Sequence, residues 1–226
     1  MAERAGDLAR TDPGWEPAPE PGWVAPHVAA EFPGLAISSI VVDSRPEPSP
    51  ESVRRRLRDL SDRFYGAHAV RMRERPIPWA YRAFFRQIGL DPDRTRTPVE
   101  DLALERLREG AFKPHGLPAD AVTIATIETG VALRLFDADQ VRGKLCVRDS
   151  APGEALSGRP GELTPGTLVI ADEDSPAGLL FGATSEVCAV SRVTRRIAIA
   201  AIQVAGVPQI AVDEALWMTA ATLEAG

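Results

Sequence analysis

The stretch that decides the fold is "PGTLVIADEDSPAGLLFGATSEV", residues 165–187. The apolar run Leu168–Ala171 reaches an acidic, proline-bearing turn, Asp172 to Pro176. A second apolar run, Leu179–Phe181, follows between Gly178 and Gly182. Turn residues between short β-branched runs predict antiparallel strands. The glycines, with Ser185 and Glu186 just beyond, have two readings: a tight turn, or a pocket in which the backbone comes close to a ligand. The acidic run Asp172-Glu173-Asp174 likewise reads as a hairpin turn or a cation site.

The same grammar extends through the second half of the chain. "VALRLF", "KLCV", "TLVIA", "GLLF", "EVCAV" and "RIAIAAIQV" are short apolar runs divided by turn residues. "AVTIATIE" fits helix or strand by period and is read as helix, and "DEALWMTAATLEA" returns to helix. The first half is helical. In "SPESVRRRLRDLSDRFYG", Ser49 is placed to cap and Pro50 to open a helix. Val53, Leu57, Leu60 and Phe64 share one face of it. "PWAYRAFFRQIG" is a second helix. "TPVEDLALERLREG" is a third, with a capping box from Thr97 to Glu100. A strand, "LAISSIVVD", precedes them. The expected class is α+β, a β-sandwich-like core of mostly antiparallel strands with flanking helices. Residues 1–34 carry six prolines from Pro13 to Pro33 and are expected to form an extension without regular structure, its Trp15 and Trp23 draped on the domain. Residues 35–226 are read as a single domain.

Composition narrows the function. No run of the roughly 18 apolar residues of a membrane span occurs, and the first residues lack a signal-peptide core, so the expected location is cytoplasmic. Cys146 and Cys188 sit in apolar runs and read as buried reduced thiols, with a catalytic thiol or a disulfide as alternatives. The net charge of −6 argues against indiscriminate nucleic-acid binding. It is uneven, however: residues 45–113 hold a net +5, leaving −11 elsewhere. Arg54, Arg55 and Arg58 are therefore read as a local polyanion site, here RNA; the alternative is that Arg54, Arg55, Arg56 and Arg58 are the solvated face of one helix. His27, His68 and His115 are scattered without paired cysteines, so no metal site is expected, and no phosphate-binding glycine loop or dinucleotide fingerprint appears. His115 reads as a loop histidine or a base.

Three segments together resemble a known family. "PWAYRAFFRQIGLDPDRTRTPVEDLALERL" carries Trp79, Arg82, Gly89, Pro92, Arg96 and Glu100. "ADAVTIATIETGVALRLFDAD" carries Asp120, Gly130, Phe136, Asp137 and Asp139. The opening stretch carries Leu168, Val169, Asp172, Ala177, Gly178, Gly182, Ser185, Glu186 and Val187. In this order they resemble the editing domain of the phenylalanyl-tRNA synthetase beta chain, over residues 36–206. The resemblance implies a site that hydrolyses tyrosine wrongly attached to the phenylalanine tRNA. It implies tRNA, aminoacyl-tRNA or a small amino acid as partners, and no cofactor. It assigns substrate contacts to Thr123, Arg134, Gly178, Gly182 and Ser185, and a catalytic carboxylate to Glu186; the alternatives are a surface strand arginine at Arg134 and a turn carboxylate capping nearby amides at Glu186. The family's asparagine is Thr123 here, the histidine of its "PLHAFD" stretch falls at Arg134, and its Met-Gly-Gly triplet is Leu180-Phe181-Gly182. A chain of this length is too short for the synthetase's charging and activation modules, so a complete ligase is not expected. Two functions are implied, a trans-acting aminoacyl-tRNA deacylase or a non-catalytic module that binds an amino acid or RNA. A scaffold protein using the Pro-rich segment is a third.

Overall fold

A computed structural model describes residues 18–64, 66 and 71–225. Among them, two four-stranded sheets and six helices are arranged about a main hydrophobic core and a smaller second cluster. The strands and helices in chain order are β1 (Glu20–Pro21), β2 (Trp23–Val24), α1 (Pro26–Glu31), β3 (Ala36–Asp43), α2 (Glu51–Arg63), α3 (Pro76–Gln87), α4 (Pro98–Glu109), α5 (Leu117–Thr129), β4 (Ala132–Asp137), β5 (Cys146–Asp149), β6 (Leu168–Ala171), β7 (Pro176–Leu179), β8 (Arg196–Gln203) and α6 (Gln209–Glu224). The class is α+β, as the sequence implies.

The first sheet runs β1-β3-β8-β4, antiparallel throughout. Its centre, β8, has both faces covered, and Ile197 to Ile202 are all buried. That is why "RIAIAAI" is continuously apolar rather than alternating. The α6 helix packs on β3 and β8. The second sheet runs β2-β5-β6-β7, with β2 parallel to β5 and the other pairs antiparallel. Strand alternation divides its side chains between two cores: Val147 and Ile170 enter the main one, while Cys146, Val169 and Ala171 join Leu156 and Leu163 in a smaller cluster.

The Pro-rich segment corrects the expectation drawn from composition. Residues 20–31 form two strand pairings and a helix. Pro21 lies in the edge strand β1, where a missing N–H is tolerated, and Pro26 opens α1. Gly22 joins the two sheets. Its N–H donates to Ile37, the next N–H donates to Leu145, and a Cβ at Gly22 would meet the Leu145 carbonyl oxygen at 2.2 Å. Val28 and Ala25 are buried, whereas Trp23 is 47% exposed and does not dock. Trp15 lies outside the described residues.

Two local expectations also change. Ser49 does not cap α2. Its buried hydroxyl donates to Asp120 at 2.5 Å, tying the β3–α2 connection to the start of α5, and Pro50 takes the cap position. "EVCAV" is not a strand, because its backbone serves turns and loops: Glu186 N–H donates to Ser157 and Cys188 N–H donates to Ser185.

Candidate functional site

The opening stretch doubles back on itself. After β7 the chain turns through Leu180–Ala183, so that Leu179 N–H donates to Ala183 and Ser185 N–H donates to Ala177. Asp172 closes the preceding turn, its carboxylate accepting from the N–H groups of Asp174 and Ser175 at 2.9 and 2.8 Å and from that of Arg142 at 2.9 Å. The acidic run is thus a turn.

Against this doubled segment lies the guanidinium of Arg134, presented by edge strand β4. It donates to the carbonyl of Gly182 and, at 2.7 Å, to the hydroxyl of Thr184. A Cβ at Gly178 would come within 3.4 Å of the same guanidinium and 3.0 Å of the Ala183 carbonyl. The turn reading of the glycines therefore holds: the turn is tight, and its backbone lies against a charged group that lines a cavity.

That cavity, about 270 Å³, is lined by Arg134, Gly182 and Phe181 on one side and by Arg96 and Asp101 on the other. Arg134 is half-buried and, among the described residues, makes no ion pair with a carboxylate. Burial alone pulls its pKa down to about 10, so it stays charged at neutral pH. These two hydrogen bonds engage two of its five N–H groups. Burial pushes Asp101 above the ordinary carboxylate range, with Arg96 acting against it.

Phe181 separates this cavity from a larger one. Its ring packs on Tyr81, Phe84 and Phe85 of α3, with centroids 6.2, 6.0 and 4.8 Å away. It also lines a second cavity of about 660 Å³ with Phe32, Leu90, Leu168 and Leu180. The Tyr81 hydroxyl holds α3 to the sheet beside the site, donating to Ile202 at 2.5 Å and accepting from Ala132 N–H at 3.0 Å.

The rim formed by Arg96 and Asp101 is set by a buried ion pair. Arg82 donates to Glu100 at 2.7 Å and to Asp93 at 2.6 Å, and both Arg82 and Glu100 are buried. The other Glu100 oxygen accepts from the Thr97 N–H and hydroxyl, which is the expected cap of α4. Burial works against the Arg82 charge, and the Asp93 and Glu100 carboxylates outweigh it, holding the guanidinium above its usual value.

The structure brings Arg134, Gly178 and Gly182 together. Ser185 is buried just behind them. Thr123 sits half-buried on α5 and is not among the residues lining this cavity. Glu186 is exposed and also outside it, its side chain lying over Gly158. Arg54, Arg55 and Arg58 are exposed on α2, with Arg58 donating to Glu51 at 2.5 Å. His115 is a loop residue bonded to Glu105 at 2.9 Å. Cys146 and Cys188 are buried free thiols, pushed upward in pKa by that burial. Asp101 and Thr184 were not singled out by sequence. Their only signal was adjacency, to Glu100 and to Ser185.

The sequence profile of the B3/4 domain family matches residues 80–214, from α3 into α6. The chain belongs to the B3/4 domain family. All the residues of the Arg134 cavity lie inside that span. Among curated proteins, it is similar to the phenylalanine–tRNA ligase beta subunit of Xanthomonas campestris pv. campestris (strain 8004), 36% identical over 110 residues, which are 46% of this chain and 14% of that protein. The corresponding subunit of Xylella fastidiosa (strain Temecula1) is 38% identical over 100 residues, 42% of this chain and 12% of that protein. That of Cutibacterium acnes (strain DSM 16379 / KPA171202) is 33% identical over 98 residues, 41% and 12%. The B3/4 chain thus matches about one-eighth of each relative. Among its described residues, no helix is long and apolar enough to cross a membrane.

Proposed function

We propose that this B3/4 domain binds a free amino acid in the Arg134 cavity, and that it hydrolyses aminoacyl-tRNA slowly or not at all. The observation that carries the reading is the half-buried Arg134 cation, without a carboxylate partner among the described residues, facing a cavity that also holds Asp101. A desolvated guanidinium is matched by a carboxylate, which it can hold through two parallel hydrogen bonds. Asp101 supplies the opposite charge for an α-ammonium group. Together they suit a zwitterion.

Ester hydrolysis asks for different chemistry. A base must take a proton from water, and a guanidinium does not accept one at neutral pH. Moreover, an amino acid esterified to tRNA has no free carboxylate to offer Arg134. Thermal-shift measurements with a panel of free L-amino acids test the reading. At least one should raise Tm in the wild type, and that shift should vanish in Arg134→Gln and shrink in Asp101→Asn. Rapid single-turnover hydrolysis of tyrosyl-tRNA bearing the phenylalanine tRNA, abolished by Glu186→Gln, would replace this reading with the deacylase.

A further inference from the structure

A second cavity, about 440 Å³, opens on the helical half of the molecule. Leu60, Phe64, Met72 and Ile127 line it, and all four are buried. Arg63, Arg71 and Arg75 also line it and are exposed. Glu128 is the one carboxylate among the described lining residues, and Arg63 already holds it at 2.7 Å. Among the described residues, Arg71 and Arg75 make no ion pair. The arginine rim lies outside residues 80–214, the part of the chain that matches the B3/4 family.

We propose that this cavity is a nucleotide site. The base lies on the apolar floor and the phosphate sits among Arg63, Arg71 and Arg75. Two properties point to that chemistry. The volume falls within the range of small-molecule pockets, about 300–1,000 Å³. An apolar floor beneath several guanidinium groups matches a ligand that is planar and apolar at one end and anionic at the other. Guanidinium groups both stack on bases and chelate phosphate oxygens. A single strand of RNA presents that chemistry as readily as a free nucleotide does. Arg56, two turns before Arg63 on the same side of α2, would extend the cationic track for a strand. Arg54 lies half a turn round the helix from Arg63, away from the cavity.

Fluorescence anisotropy on the full chain tests the proposal with two probes, an anthraniloyl-labelled AMP and a short 5′-labelled oligoadenylate. Both should bind the wild type. The double variant Arg71→Gln/Arg75→Gln should weaken both by about tenfold or more. If the source is a strand, the oligonucleotide binds more tightly than AMP, and the double variant reduces its salt slope by roughly 1 to 1.5. If the source is a free nucleotide, AMP binds at least as tightly. Both substituted residues are exposed, and circular dichroism confirms the fold of the variant. Failure of both probes to bind overturns the proposal. So does binding that survives the double variant but is lost in Arg54→Gln/Arg58→Gln, which would place the contact on the outer face of α2. Neither probe contains a free amino acid, so the result is independent of the Arg134 reading.

Discussion

Replacing Arg82 with methionine probes how the site is held. Arg82 is 5% exposed and bridges the 4% exposed Glu100 and the more exposed Asp93. Removing one partner of a buried pair costs about 3–5 kcal/mol, because the remaining charge is left without compensation. Here Glu100 keeps the Thr97 N–H and hydroxyl, and Arg73 remains 3.2 Å away, so the lower end applies, about 3 kcal/mol. For a chain of this length that is a fall in Tm of about 6–12 °C. Arg82→Lys recovers little, since an ammonium cannot span both carboxylates with the geometry of a guanidinium. The double variant Arg82→Met/Glu100→Met should lose less than the sum of its two single variants, because the second change removes the charge the first leaves stranded. The network also sets the turn carrying Arg96 and the start of α4 carrying Asp101, so amino-acid binding should weaken as stability falls. Thermal unfolding followed by circular dichroism reads the first effect and calorimetric titration the second. An Arg82→Met variant within about 0.5 kcal/mol of wild type would show that the pair does not hold the site, since that is the range of neutral surface changes.

Phe181→Ala should cost about 3 kcal/mol and join the two cavities its ring divides, which would show as altered amino-acid selectivity in the thermal-shift panel. Truncation to Gly34 removes the β1–β3 and β2–β5 pairings and the buried Val28, whose loss alone is worth about 1.5–3 kcal/mol, so Tm should fall markedly; an unchanged Tm would contradict the role given to residues 20–31. The Arg148–Glu154 fork, at 2.8 and 2.5 Å, holds the Glu154 carboxyl below its ordinary value of 4.5. Its stabilisation is fully present above pH 4.5 and is lost as pH falls below it, so denaturant titrations across this range should show less acid sensitivity in Glu154→Gln than in wild type.

Much of the fold can be read from local pattern because local pattern caused it. Val53, Leu57 and Leu60 sit at helical spacing and are the buried face of α2, and Thr97 and Glu100 cap α4 as their order implies. The Pro-rich segment hid its strands because each pairs over only two residues, with a partner distant in sequence. "EVCAV" is as apolar as a strand, but its neighbours are loops, and no periodicity reveals that. The glycines of the opening stretch marked a close approach of backbone, and Arg134 was identified by its place in the family resemblance. Asp101, Phe181 and Arg134 meet only through the packing of α4, the β7 turn and β4. The arginine-rimmed cavity was equally out of reach, because α2's outer arginines resemble its inner ones until Ile127 and Met72 give one side a floor.

In the proposed function, Arg134 reads a free carboxylate. Calorimetric titration of the amino acid found in the thermal-shift panel, set beside its methyl ester, tests this most directly. The two ligands share side chain and ammonium group and differ in the one charge that Arg134 would meet. The acid should bind the wild type, the ester should bind at least about tenfold more weakly, and Arg134→Gln should erase the difference. An ester that binds as tightly as the acid, or a preference for the acid that persists in Arg134→Gln, would contradict the proposed function.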